Sequence, residues 1–391
     1  MSWREIRLVV AVALAVGLAA LPSRAQPPET PAGAQPPGTF EWTPTAFVQV
    51  DVRGFPNWNL DPDDTRLRRD TLELRRMRAG VDGSWRAMRF ELSVDPVEWN
   101  EPPIQDAWVE WRLTKAVRLR SGQFKLPGGR EYGTSSRRLG FLERSPLSES
   151  LAAGRDTGAQ IDLRFGQRWH AEAGVFVGDG RGREHRGETT LATRVQWRPV
   201  ARLEVAGYGT VGHAPAVPEA SDPNGPNGRA TSSYRFFDRV YVQGRRTRAG
   251  ADAEWRQGHW RATTEALWLT EERVGQGADQ GTLPSLRGVG VTAAVRWQRA
   301  GPMAGVRYDR ITFDDTEPET SLASVRPRAE DVRMRGAEAV TVSAGWRLSR
   351  WLRVIGEGAV ERYFEPRSAP SLDRLGPYGT VGVRMQVEWP E

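Results

Sequence analysis

The sequence predicts an all-β chain: a transmembrane antiparallel β-barrel of about 16 strands with short periplasmic turns and long outer loops. Apolar and polar residues alternate in segments of about ten residues, which is the period of a strand with one lipid face and one lumen face. Short connections alternate with long polar ones along the chain, and aromatic residues stand beside the short ones. Past the N-terminal region, no apolar run is long enough for a membrane helix, so strands remain as the spanning element.

The first 25 residues are expected to be a cleaved signal peptide. Arg4 and Arg7 precede the apolar run 8–21, and Ala25 provides a small residue at the cleavage position. A membrane anchor is the weaker alternative, because this run is shorter than the roughly 20 residues that a helix needs to cross a bilayer. The protein is therefore predicted to be exported to the outer membrane.

The mature chain divides into a short lead-in and one large domain. Residues 26–44 are rich in Pro, Gly and Ala and are predicted to form a flexible periplasmic lead-in. Residues 45–391 behave as a single unit and are predicted to form the barrel. The 105–113 segment shows the pattern: Ala107 and Val109 fall on one face and Glu110 on the other.

The connections distinguish a membrane barrel from a water-soluble sandwich. Seven short turns carry aromatic residues on one rim, as in an aromatic girdle at headgroup depth. These turns lie at 85–86, 111–112, 165–169, 197–199, 255–260, 297–301 and 346–351. Eight longer connections form the other rim, at 54–70, 96–104, 125–156, 179–188, 213–245, 271–286, 314–335 and 364–374. Sixteen strands fit between them, a number that leaves room for an aqueous lumen.

Composition excludes several classes of protein. With no cysteine, disulfides, zinc thiolate sites and cysteine nucleophiles are impossible. The sequence contains no nucleophile elbow and no metalloprotease motif, and the four histidines lack ligand spacing, so neither an enzyme nor a metal or other cofactor is expected. The formal net charge is +6, but the strand pattern argues against a nucleic-acid partner.

Nearly all basic residues are arginine, since Lys115 and Lys125 are the only lysines. The planar guanidinium group suits carboxylate and phosphate ligands, although a GC-rich genome would produce the same bias. Residues 66–155 contain 16 Arg and 2 Lys against 12 acidic residues, a net charge of +6. A clustered positive lining would concentrate anions in a lumen.

The densest basic strand is 71–84, where Arg76 and Arg78 are predicted to face the lumen. Arg75 falls on the lipid phase, which is tolerable only near the loop end or beside a β-bulge. The alternative to an anion site is cross-strand pairing with lumen acids; the candidate partners are Asp51, Glu91 and Glu110.

Further candidate pore-lining cations follow. Arg118 and Arg120 lie on the lumen phase of the next basic strand. The sequence leaves open whether the long connection after that strand, 125–156, folds into the lumen and narrows it. Its candidate anion-binding residues are Lys125, Arg137, Arg138 and Arg144.

Several motifs within 71–156 resemble the phosphate-selective porin O and porin P family. They are RRMRAGVDG, GQFKLPGG, TSS, FLERS and the Gly-Arg-Asp at 154–156. The resemblance implies a sixteen-stranded, usually trimeric barrel that passes anions through an arginine-lined constriction. Carried onto this chain, it implies a constriction at Arg75, Arg76 and Arg78, with the loop cations Lys125, Arg137, Arg138 and Arg144 behind it. The chain departs from the family in having only two lysines, where the best-known members gather lysines at the periplasmic mouth.

The expected function is that of a passive porin for small hydrophilic solutes, with a preference for anions such as phosphate. Its expected partners are outer-membrane lipid, lipopolysaccharide, small anions and, as a homotrimer, two further copies of itself. A closed structural or adhesin-like barrel that displays loops 213–245 and 314–335 is the alternative. Lumen carboxylates that neutralise every inward arginine would favour it.

Overall fold

The computed structural model describes residues 40–58, 70–97, 103–177, 180–181, 189–214, 226, 228–233, 235–237, 242–274, 282–314, 334–366 and 376–389. The predicted signal peptide and most of the lead-in lie outside the described residues. Loops 213–245 and 314–335 lie largely outside them as well. Within the described ranges, no helix is both long and apolar enough to cross a membrane.

The described strands form one closed antiparallel barrel of 16 strands and a separate two-stranded hairpin, β10–β11. Their bounds are β1 Phe40–Gly54, β2 Thr71–Trp85, β3 Met88–Val94, β4 Ile104–Arg112, β5 Val117–Lys125, β6 Arg155–Phe165, β7 Trp169–Phe176, β8 Thr190–Val200, β9 Leu203–Ala214, β10 Gly228–Arg229, β11 Arg235–Phe237, β12 Gly244–Gln257, β13 Trp260–Val274, β14 Thr282–Gln298, β15 Pro302–Asp314, β16 Met334–Arg347, β17 Leu352–Pro366 and β18 Tyr378–Glu388. The barrel closes where β1 pairs with β18, with Asp51 opposite Arg384. The predicted fold class and strand number are confirmed.

Several predicted strands are too short, and β1 and β14 differ most at their first residues. β1 begins at Phe40, so residues 40–44 are in the barrel rather than in the lead-in; they pair with the end of β2, for example Phe40 with Trp85. β14 begins at Thr282 instead of residue 287, because it continues to pair with β13. In both cases hydrogen bonding to a neighbouring strand extends the strand beyond its alternating segment.

The outer surface carries the predicted apolar band and aromatic rim. Outward residues such as Val195, Val291 and Val342 are exposed, whereas their polar neighbours along each strand point into the lumen. Exposed tryptophans gather at the short-turn rim: Trp85, Trp169, Trp197, Trp255, Trp260, Trp346 and Trp389. An amphipathic ring at this position suits the lipid headgroup region.

The connection between β5 and β6, residues 126–154, folds into the barrel; we call it the inner loop. It contains two short helices, α1 (Arg130–Gly133) and α2 (Pro146–Ser150), and a single 3₁₀ turn (Ser136–Arg138) between them. A second segment, 228–233, also enters the lumen, where the Ser232 hydroxyl donates to Glu361 Oε1 at 2.6 Å.

An apolar cluster inside the lumen anchors the second half of the inner loop. Leu147 of α2 and Leu151, which directly follows α2, are fully buried against lumen-facing side chains of the wall. The wall residues of this contact include Leu269, Leu286 and Phe313. Apolar side chains therefore occur on both faces of these strands, and the inner loop keeps the lumen-facing ones out of water.

Candidate pore-lining site

A β-bulge in β2 places two consecutive arginines on the lumen side. Gln49 of β1 pairs with Arg76, but the next residue, Val50, pairs with Leu74, so Arg75 is the extra residue of the bulge. Both guanidinium groups then reach the same carboxylate inside the barrel. Alternation placed Arg75 on the lipid side of the strand. The β-bulge, one of the two possibilities that the sequence allowed, turns its side chain to the lumen instead.

That carboxylate belongs to Glu143 of the inner loop, and four arginines surround it. Glu143 Oε1 accepts from Arg53 Nη2 at 2.6 Å, Arg75 Nε at 2.6 Å and Arg384 Nη2 at 3.1 Å. Glu143 Oε2 accepts from Arg76 Nη2 at 3.0 Å and from Arg75 Nη2 at 3.2 Å. We call these four arginines and Glu143 the Glu143 cluster.

The Glu143 cluster is largely buried, with Arg75 its most exposed member. Burial alone would raise the pKa of Glu143, but the surrounding guanidinium groups hold that pKa well below its usual value, so the carboxylate is charged. Asp51 bridges Arg53 and Arg384, at 2.8 Å and 2.6 Å. Among the predicted site residues, Arg75 and Arg76 therefore both bind the inner loop; the Arg76 side chain is 7% exposed and that of Arg75 is 25% exposed.

Arg78, the third arginine of β2, is also neutralised by the wall. Its Nη2 lies 3.5 Å from Asp95 Oδ2 and donates to Gln105 Oε1 at 3.2 Å. Its guanidinium carbon lies 5.7 Å from the ring centroid of Phe47. Arg78 is thus separate from the Glu143 cluster, although both lie on β2.

Arg118 and Arg120 of β5 keep access to lumen water, as Arg75 does, but among the described residues they share their carboxylate with no other arginine. Both pair with one carboxylate, Glu110 of β4, at 3.4 Å and 2.6 Å. Their side chains remain 25% and 28% exposed, compared with 7% for Arg76. Arg120 also stacks over Trp108, with its guanidinium carbon 4.4 Å from the ring centroid. Two cations sharing one carboxylate leave a local positive excess that solvent can reach.

Lys125, at the end of β5, and the three predicted arginines of the inner loop make different contacts. The amino group of Lys125 donates to the backbone oxygens of Tyr132 and Thr134, at 2.7 Å and 3.2 Å, and Arg144 Nη2 donates to the Thr134 oxygen at 2.8 Å. The backbone oxygen of Arg137 accepts from Arg353 and Gln386 of the wall. Arg138 is exposed.

A cavity of about 540 Å³, counted with the solvent at its mouth, lies between the inner loop and β13–β15. Arg261, Arg296 and Arg307 of the wall line it, together with Arg130 and Glu131 of the loop. Arg307 pairs with Asp309 at 2.7 Å. Arg261 pairs with Glu254. This cavity adds a second partly cationic surface that solvent can enter.

One histidine belongs to a group of metal-ligand type. In the described part of the chain, Asp162, His170 and Glu172 offer ligand atoms that all lie within 4.8 Å of one another. The group is linked by hydrogen bonds, with His170 Nε2 2.8 Å from Asp162 Oδ2 and Gln160 Nε2 3.1 Å from Glu172 Oε1. Arg164 lies 3.7 Å from Asp162. Neighbouring side chains thus already form hydrogen bonds or ion pairs with the two carboxylates of this group.

Sequence reasoning missed Arg53 and Arg384, which complete the Glu143 cluster. Their partner lies in a loop 90 and 241 residues away along the chain. The available signal was barrel closure: once β1 and β18 are recognised as the first and last strands, Asp51 and Arg384 become neighbours.

The chain belongs to the phosphate-selective porin O and P family, whose model matches residues 46–301. It is therefore an outer-membrane barrel of the porin class, a class of channels rather than enzymes. A comparison with curated protein sequences gives no significant match.

Solved structures share the fold at low sequence identity. OmpT of Vibrio cholerae in its trimer form is 11% identical, with 90% of this chain and 100% of that chain covered and a TM-score of 0.59. An anion-selective porin from Comamonas acidovorans is 12% identical, with 90% of this chain and 100% of that chain covered and a TM-score of 0.57. The outer membrane channel DcaP of Acinetobacter baumannii is 10% identical, with 90% and 97% covered and a TM-score of 0.55.

Proposed function

We propose that this porin is a passive pore for small anions, including inorganic phosphate, and that Arg118 and Arg120 contact the anions as they pass. The observation that carries the proposal is the shared partner of these two arginines, since a single Glu110 carboxylate serves both and their side chains stay about a quarter exposed. A positive excess inside a low-dielectric wall attracts anions into the lumen. The similar fold of a porin described as anion-selective is in keeping with this.

The test is the reversal potential of single channels in a planar bilayer under a KCl gradient. Arg118→Gln combined with Arg120→Gln should lower the chloride-over-potassium permeability ratio several-fold, because the local positive excess is lost. Lys115→Gln is the matched control: Lys115 is exposed in the turn between β4 and β5, outside the strands that line the lumen. A ratio that stays at the wild-type value in the double variant would contradict the proposal.

A closed barrel is the second candidate, and the packing of the lumen favours it. The inner loop and segment 228–233 both enter the barrel, and Arg75, Arg76 and Arg78 are all paired with carboxylates. A purified protein that inserts into bilayers without ever conducting would decide for this candidate. A current that phosphate blocks would decide for the anion pore.

We further propose that the barrel forms a homotrimer. Small residues meet on the outward face of β9, β12 and β13, where Gly207 lies opposite Ala251 and Ala251 opposite Ala266. These three residues are exposed, and the exposed ring of Trp268, opposite Ala249, borders them. Small side chains let two barrel walls approach closely in lipid.

A further inference from the structure

The Glu143 cluster has the composition of an anion-binding site. Four guanidinium groups from three adjacent strands, β18, β1 and β2, converge on one point of the lumen. The group at that point is the carboxylate of Glu143, which accepts five hydrogen bonds from them. Bidentate and fork-like contacts of this kind are how arginines recognise carboxylate and phosphate.

The wall cannot neutralise these four cations by itself. Within the described ranges, Asp51 is the fully buried wall carboxylate that forms ion pairs with them, through Arg53 and Arg384. Glu73 approaches Arg75 only to 3.8 Å and is 44% exposed. Without Glu143, the arginines would leave a buried positive excess, which is strongly unfavourable unless an anion enters.

The carboxylate that meets this need comes from a separate element. Glu143 reaches the wall only because the inner loop is folded into the lumen. Hydrogen bonds between the wall and the backbone of residues 142 and 143 hold this segment in place. The backbone amide of Leu142 donates to Glu357 Oε2 at 2.7 Å, and Arg307 Nη1 donates to the backbone oxygen of Glu143 at 2.9 Å.

We propose that Glu143 is a built-in ligand: the arginines of β18, β1 and β2 form an oxyanion site, which the loop carboxylate occupies and which a small external oxyanion fills when Glu143 is absent. The ligands that fit are a carboxylate of acetate size and inorganic phosphate, since both present paired oxygens to guanidinium forks. The site exists whether or not the lumen conducts, so it can be tested on purified protein without measuring current.

The test follows the thermal unfolding of the purified, refolded barrel while sodium acetate or sodium phosphate is titrated against sodium chloride of equal ionic strength. Glu143→Gln and Glu143→Ala should both lower the unfolding temperature, and acetate or phosphate should recover roughly half or more of the loss as the site saturates. The wild-type protein should show no such anion-specific gain, because its site is filled. Comparing the two titrations shows which oxyanion the site prefers.

Glu338→Gln is the matched control, because it also removes one carboxylate. Its partner Arg310 lies 3.8 Å away and is 54% exposed, so no buried anion site is left behind and no acetate-specific gain should appear. If the Glu143 variants refold only when acetate or phosphate is present, that dependence of the refolding yield supports the proposal equally. Variants that respond no more than the wild type, or that refold in none of these anions, would overturn it.

Discussion

Arg75 shows how one extra residue changes what a strand presents to the lumen. In regular pairing its side chain would point into lipid, where an arginine costs about 2–4 kcal/mol at the bilayer midplane. The bulge gives up one position of the β1–β2 ladder and turns the guanidinium toward Glu143, at 2.6 Å. The register on both sides of the bulge is regular, with Val48 opposite Met77 and Val52 opposite Leu72.

Deleting Arg75 should therefore leave a barrel with the same register. The deletion removes the extra residue, so Arg76 and Leu74 would pair with Gln49 and Val50 without interruption. The chain has no cysteine, which allows a clean measurement: a disulfide between Val52→Cys and Leu72→Cys should form with and without the deletion. Loss of this cross-link in the deletion variant would mean that the bulge is needed for barrel curvature and not only for placing Arg75.

The inner loop is held at its two halves by different physical forces. Its first half, which runs to Arg144, is held by charged and polar contacts, with Glu143 among four guanidinium groups. Its second half is held by burial of Leu147 and Leu151 in the apolar lumen cluster. The approach is also close at Gly129: a Cβ there would lie 1.7 Å from Glu265 Oε1 and would displace that carboxylate from its hydrogen bonds with the Tyr208 hydroxyl and the Glu131 amide.

Leu151→Ala should loosen the second half of the loop without releasing the first. Truncating a fully buried leucine costs about 2–5 kcal/mol, and that loss falls locally on α2. Hydrogen exchange measured by mass spectrometry should accelerate over 145–151 and stay unchanged over 136–144. Leu119→Ala, which shortens an outward-facing side chain, is the control. Equal acceleration in both halves would show that the loop docks as one cooperative unit.

At the scale of the whole molecule, the features that can be predicted from the sequence are those that the lipid environment determines. Strand number, the outward phase of residues such as Val109 and the tryptophan rim follow from alternation and turn position, because lipid imposes both. The partner of Arg76 does not follow in this way. It is one of 49 acidic residues, and it lies 67 positions away in a loop whose path depends on contacts all around the lumen. The wall acids Asp51 and Glu110 instead bind other arginines.

The assembly of whole barrels should depend on the small-residue patch around Ala251. Because Gly207 and Ala266 flank Ala251 on the neighbouring strands, a large ring there would hold two barrel walls apart. Ala251→Trp should convert the trimer to monomers in unheated gel electrophoresis and in detergent-corrected light scattering. The folded monomer should keep its heat-modifiable migration, because the side chain points away from the lumen.

Val383→Trp separates a specific interface from a general effect of an outward ring. Val383 is also outward-facing, at 50% exposure, but it lies on β18, six strands away from β12 in the order around the barrel. A trimer that survives Val383→Trp and dissociates with Ala251→Trp places the interface on β9, β12 and β13. Dissociation by Val383→Trp alone would move the interface to the side where the barrel closes, next to the strands that carry the Glu143 cluster. The proposed oxyanion site would then lie inside the wall nearest the threefold axis instead of inside a wall that faces lipid.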